Sequence, residues 1–207
     1  MVKVDNLTFG YEEMPVLESL SIEARGGEIL LIEGENGSGK TTLLNCITNL
    51  VNGGKNIYIE GKEVYLNKNV LKKVAYIMSS DCLYDYLTVR ENIAFFKAML
   101  GEGKEYEKKI EALCKEFGIT ELEDILVKNL SEGTRNKVYL AIMLSKKHSI
   151  LIMDEPFTAL DEGMQKYLLD YVQEYSKTQE KCAILVTHIK EFQRIATRRF
   201  LLKKQTC

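Results

Sequence analysis

An apolar run, Glu28-Ile29-Leu30-Leu31-Ile32-Glu33, leads directly into Gly34-Glu35-Asn36-Gly37-Ser38-Gly39-Lys40-Thr41 and then into an apolar helical stretch ending near Leu50. Strand, glycine-rich turn and helix in that order leave few folds open to the chain. The turn satisfies G-x-x-x-x-G-K-[ST]. Its glycines let the backbone curl so that successive N–H groups converge on one point. The helix N-terminus behind them adds partial positive charge. That concave set of donors suits phosphate oxygens. Lys40 is placed to reach the β- and γ-phosphates of a nucleotide, and the Thr41 hydroxyl to ligate Mg²⁺.

A second run, Ser149-Ile150-Leu151-Ile152-Met153-Asp154-Glu155-Pro156, is an apolar strand ending in two acids. On its own that pattern reads as a solvated turn. Beside a phosphate cradle it puts two carboxylates at the carboxyl edge of a sheet, where ligands of α/β folds bind. Asp154 is suited to hold Mg²⁺ through water and Glu155 to polarise an attacking water.

The remaining chain alternates between strand and helix. Val2, Val4, Leu7 and Phe9 open a β-rich start, followed by Leu20–Ala24. Gly53-Gly54 reads as a turn before a short strand at 56–60, and Val74–Met78 as a buried strand. Helices are expected at 88–100, 104–117 and from Ser131 to about Lys147, with Gly101 and Gly103 as breaks. Ile150–Met153 and Cys182–Thr187 are strands around an amphipathic helix carrying Met164, Leu168, Val172 and Tyr175, and Arg199–Leu202 is a final strand. Strand–helix–strand order points to a mainly parallel sheet.

Composition narrows the function classes. Of 207 residues, 28 are Lys or Arg and 30 are Asp or Glu, so no overall basic field recruits nucleic acid or anionic lipid. Cys46, Cys82, Cys114, Cys182 and Cys207 are odd in number and lack a CxxC pair, which fits reduced thiols rather than disulfides or zinc. No stretch approaches the ~20 apolar residues of a membrane span.

Three further segments narrow the phosphate-binding classes. Leu130-Ser131-Glu132-Gly133-Thr134 resembles the ABC (ATP-binding cassette) signature LSGGQ, Thr158-Ala159-Leu160-Asp161 resembles the ABC D-loop, and Val186-Thr187-His188 resembles the switch-histidine segment. In order and spacing the whole chain is similar to an ABC nucleotide-binding domain. The resemblance implies an α/β P-loop NTPase with a RecA-like core, an antiparallel β subdomain and an α-helical subdomain inserted at approximately 80–130, all within one ATPase domain over 1–207. It implies that ATP is held by Asn36, Gly37, Ser38, Gly39, Lys40, Thr41 and Thr42, that Tyr11 stacks on adenine, and that Glu155, His188 and Lys40 are catalytic. Ser131 and Gly133 would reach the γ-phosphate held by a second ATPase subunit in a head-to-tail dimer.

The chain departs from the family at two places. Tyr76-Ile77-Met78-Ser79 stands where the family has a run like YLPQ, so Ser79 occupies the position of a glutamine that meets Mg²⁺. Glu132 and Thr134 replace Gly and Gln of the signature. The run Leu83–Ile93 resembles the segment that touches integral membrane permease subunits, and Thr88 with Glu91 also forms a capping box. The expectation is an ATPase (ATP and water to ADP and phosphate) peripheral on the cytoplasmic face of the cell membrane. It energises a separate permease, as in bacterial exporters, and binds no nucleic acid. The alternative is a soluble ABC-type ATPase for cluster or complex assembly. A nucleic-acid machine would need a second cassette or a long coiled-coil insertion, and a degenerate cassette would lack some of Lys40, Asp154, Glu155 and His188.

Overall fold

In a computed structural model of the chain, which describes residues 1–12, 14–52, 55–156 and 160–204, two sheets and their covering helices enclose two apolar layers. Strands β1 (Val2–Tyr11), β2 (Met14–Ala24), β4 (Ile57–Ile59) and β5 (Lys62–Glu63) form an antiparallel sheet in the order β2-β1-β4-β5. Strands β3 (Ile29–Glu33), β6 (Val74–Ile77), β7 (Ile150–Asp154), β8 (Cys182–Val186) and β9 (Arg198–Leu201) form a parallel sheet in the order β6-β7-β8-β3-β9. The expected turn at Gly53-Gly54 lies outside the described residues, as does Cys207.

Strands β6, β7, β8 and β3 are apolar along almost their whole length because both faces are covered, whereas edge strand β9 carries Arg198 and Arg199. Leu30, Ile32, Ile150, Ile152 and Ile184 point to one side and pack with helix α1 (Lys40–Ile47) and the antiparallel sheet. Leu31, Leu151, Met153, Ala183 and Leu185 point to the other and pack with α2 (Val89–Leu100), α3 (Lys104–Glu116), α4 (Glu132–Ser145) and α5 (Glu162–Tyr175). The period-2 alternation of Cβ directions thus divides the interior into two layers. Burying such side chains supplies roughly 1.5–3 kcal/mol each. The chain then adds α6 (Lys190–Ile195) before β9 at the sheet edge. All helices expected from the sequence are present, and α4 is buried on several sides from Val138 to Ser145.

Two features depart from the sequence reading. Strand β2 starts well before Leu20, because its alternation is broken by bulges: Asn6 and Ser19 take φ of 52° and 47° and the β1–β2 register shifts beside them. Side chains satisfy the displaced backbone there. Asn6 N donates to Ser21 Oγ at 2.8 Å and Ser19 N to Thr8 Oγ1 at 3.1 Å. Helix α6 also escaped notice, being only 6 residues long with Phe192 alone buried.

One histidine, His148, is half-buried beside α5. His148 Nδ1 donates to Lys146 O at 2.6 Å, its ring stacks on Tyr175 with centroids 5.1 Å apart, and its Nε2 is buried with no hydrogen-bond partner. Burial lowers its pKa from 6.5 to about 4, and the nearby Lys146, Lys109 and Lys181 push the same way. The folded state therefore refuses a proton that the unfolded chain accepts below its ordinary pKa, so stability is lost as pH falls from 6.5 toward 4. Denaturant titrations at pH 7 and pH 5 are expected to show wild type losing about 2 kcal/mol more than His148→Gln. Parallel losses in the two proteins would contradict this assignment.

Candidate active site

The cradle forms where β3 hands over to α1. Gly34 lies against the far edge of the sheet: a Cβ there would sit 2.5 Å from Leu202 O, whose own N–H bonds Glu33 O at 2.8 Å. Gly39 is the N-cap of α1 in the left-handed region, at φ 97°, and a Cβ on it would press on Val16 and Leu17 at 3.0 Å. Only glycine fits both demands at that point. Lys40 folds back over the turn, donating from Nζ to Gly34 O at 2.8 Å and Glu35 O at 3.0 Å. Ser38 is buried with an unpartnered hydroxyl in the middle of this turn.

Strand β7 brings the acids to the same place. A cleft of about 380 Å³ is lined by Val16, Asn36, Gly37, Gly39, Lys40, Thr41, Thr42, Asp154, Glu155, Val186 and His188. Asp154 ends β7, pairs in register with Val186 of β8 and is buried. Burial raises its pKa, while the Thr41 hydroxyl, the Lys40 charge and the Tyr76 hydroxyl draw it back down. The Tyr76 hydroxyl of β6 donates to Asn45 Oδ1 of α1 at 3.1 Å, which places it between helix and acid. Thr41 and Asp154 present hard oxygen donors side by side, the chemistry that Mg²⁺ takes along with phosphate and water. The described residues contain no group of three or more His, Cys, Asp or Glu that would form an all-protein metal cage.

Glu155 follows with φ 48°, an uncommon conformation for a residue bearing Cβ. Its N–H is tied to Val186 O at 2.9 Å, so the sheet edge holds the turn in place. Such a backbone outlier beside reactive groups aims a side chain that ordinary strand geometry would send elsewhere. Its Oε1 is buried with no hydrogen-bond partner, 3.3 Å from His188 Nε2. Burial raises the Glu155 pKa and the adjacent His188 lowers it. Thr187 Oγ1 accepts from Ile189 N at 3.0 Å, turning the chain after β8 so that exposed His188 overhangs the cleft.

The other expected site residues lie outside this cleft's lining. Tyr11 is exposed at the end of β1 and meets Phe9 edge-on at 5.1 Å. Ser79 is exposed in the loop after β6. Ser131 caps α4, accepting from Thr134 N at 3.3 Å, and Gly133 lies in the first turn of that helix. Thr158 and Ala159 of the expected D-loop lie outside the described residues. Asp161 caps α5 through Met164 N at 2.8 Å and pairs with Lys137 of α4 at 2.9 Å. Sequence reasoning missed Val16, Val186 and Tyr76 as site residues. Val16 carries no motif, and Val186 and Tyr76 stand in the motifs only as neighbours of other residues; the fold brings Val16 and Val186 to the cleft and Tyr76 to Asp154.

Comparison with known proteins agrees with this geometry. The family profile described as "ABC transporter" matches residues 17–158. The thiamine import ATP-binding protein ThiQ of Shigella boydii is 32% identical over 201 residues, covering 96% of this chain and 86% of its own. The ergothioneine transport ATP-binding protein EgtV of Helicobacter pylori is 30% identical, covering 98% and 97%. A solved ATP-binding subunit of an ABC transporter superposes with a TM-score of 0.89 at 25% identity, over 99% of this chain and 88% of that one. The exporter expectation is not supported, since ThiQ is named for import. A phosphate cradle, a buried acid against its threonine and a family match over most of the chain lead to one conclusion: the chain belongs to the ABC transporter family, as an ATP-binding and ATP-hydrolysing subunit.

Proposed function

We propose that the chain hydrolyses ATP to energise uptake through a separate membrane permease, working as a head-to-tail pair of cassettes. The observation that carries the catalytic part is the single cleft shared by the Lys40 turn, Asp154, Glu155 and His188. Phosphoryl transfer to water needs positioning and charge neutralisation more than covalent help from the protein. The turn's N–H groups and Lys40 bind the phosphates. Thr41 and Asp154 would hold Mg²⁺, which would supply positive charge to neutralise the phosphates. Glu155 accepts a hydrogen bond from the attacking water, and His188 contacts the γ-phosphate. Tyr11 would stack on the adenine, and Ser79 would take the place of the family glutamine near the metal.

Ser131 and Gly133 are outside the lining of their own chain's cleft, which supports their service to a second copy. Import as the direction of transport rests on the relatives named for it. No helix of the described residues is long and apolar enough to cross a membrane. Tyr84, Tyr86, Phe95 and Met99 are exposed along the 83–99 region, an apolar face fit for a permease. Thr88 and Glu91 fix its angle through a complete capping box, N–H to Glu91 Oε2 at 2.8 Å and Glu91 N to Thr88 Oγ1 at 3.2 Å.

Purification from detergent-solubilised native membranes tests the transport reading. A co-eluting polytopic protein that stimulates ATP hydrolysis is the expected result. Soluble partners alone would contradict it and favour the assembly ATPase.

A further inference from the structure

Between β6 and α2 the chain makes a strap whose two ends are held by one helix. At its start, Met78 N donates to Tyr139 Oη at 3.1 Å, and that hydroxyl donates to Tyr76 O at 3.4 Å. Three residues on, Arg135 grips Asp81 with two bonds, Nε to Oδ2 at 2.5 Å and Nη2 to Oδ1 at 2.8 Å. The same guanidinium pairs with Asp85 through Nη1 and reaches Leu83 O from Nη2 at 3.4 Å. Arg135 and Tyr139 are four residues apart and share a face of α4. Ser79 and Ser80 therefore span two points fixed to the helix that opens with Ser131, Gly133 and Thr134.

The grip is built for geometry rather than charge alone. Asp81 keeps its carboxylate aimed by accepting Leu83 N at 2.9 Å, and its side chain is 12% exposed against 25% for Arg135. A bidentate fork of this kind fixes direction as well as distance, which an ammonium group cannot reproduce. From the other side, buried Asn92 of α2 accepts Tyr84 N at 2.8 Å and donates to Tyr84 O at 3.1 Å. None of these groups lines the nucleotide cleft of its own chain.

We propose that Arg135 is a positioning residue for ATP hydrolysis: its ion pairs with Asp81 and Asp85 lock the Ser131–Thr134 turn to the Ser79 loop, so that the turn meets a second copy's ATP in one fixed orientation. The inference rests on the head-to-tail reading above. It also gives the exposed Tyr84–Phe95 pair, whose rings are 4.7 Å apart, a rigid path to the signature turn through the strap.

The test uses the full chain with three readouts: ATP affinity of the monomer, steady-state turnover, and ATP-driven dimerisation in a Glu155→Gln background. Arg135→Gln is expected to leave monomer ATP affinity unchanged while lowering kcat, and weakening the dimer, by about tenfold or more. Asp81→Asn is expected to reproduce both losses, and the double variant to add little, since the two residues share one interaction. Wild-type kcat and dimerisation in Arg135→Gln would overturn the proposal. So would parallel losses of ATP affinity, which mark a general structural role. Should Arg135→Gln not fold, Asp85→Asn opens only the exposed arm of the clamp, and wild-type behaviour of both it and Asp81→Asn would overturn the proposal equally. Ser131→Ala separates the two readings. If it leaves the dimer intact, the head-to-tail arrangement fails; if it weakens the dimer while Arg135→Gln does not, only the clamp fails.

Discussion

Replacing Lys40 with alanine is expected to lower ATP turnover by about 10²–10³-fold or more. Two losses combine. The ammonium group is the mobile positive charge of the cradle, and hydrolysis builds negative charge on the phosphate oxygens it faces. It also ties Gly34 O and Glu35 O together, so the variant's turn loses the bonds that draw its carbonyls inward. A charge aimed at the reacting group counts most in the transition state, so kcat falls further than ATP affinity does. The fold itself should be retained, because Lys40 stands at the surface start of α1 while Leu43, Leu44, Cys46 and Ile47 provide that helix's buried face. Steady-state hydrolysis and a nucleotide titration on the same preparation measure both effects. Turnover at the wild-type level would remove the cradle from the mechanism.

Glu155→Gln is expected to retain ATP binding and to lose about 10²–10⁴-fold in turnover, the usual contribution of a positioned general base. The amide has the shape of the carboxylate, so the turn at φ 48° and its bond to Val186 O are kept. What disappears is the negative charge 3.3 Å from His188 and the acceptor for the water's proton. Contacts of the Lys40 turn with the phosphates are untouched. Single-turnover hydrolysis and equilibrium ATP binding separate the two. Turnover within about tenfold of wild type would move the base role to another residue.

Much of the candidate site was legible in the sequence because its parts are local. The turn at 34–41 and the acids at 154–155 each sit at a strand end, so pattern alone puts them at the carboxyl edge of one sheet. Their meeting in one cleft required the order β6-β7-β8-β3-β9, which no single segment encodes. Only that order makes β8 a neighbour of both β3 and β7, bringing His188 beside Glu155. Tyr76 was visible only as part of a loop alignment, yet in three dimensions its hydroxyl steadies Asp154. The first half of β2 was hidden because bulges at Asn6 and Ser19 break the period on which strand recognition depends. Arg135 carries no motif of its own in the sequence. Its role came from a carboxylate more than 50 positions earlier, Asp81, which returns to it through the fold.

The claim that each cleft is completed by a second copy is tested most directly by molar mass. Light scattering on purified Glu155→Gln is to be compared without nucleotide and with saturating ATP and Mg²⁺. Because Ser131 and Gly133 lie outside the lining of their own cleft, ATP is expected to shift the chain from 23.7 kDa to twice that mass. Adding Ser131→Ala is expected to weaken the shift. A protein that binds ATP at full occupancy and stays at the monomer mass across the concentration range would contradict the account.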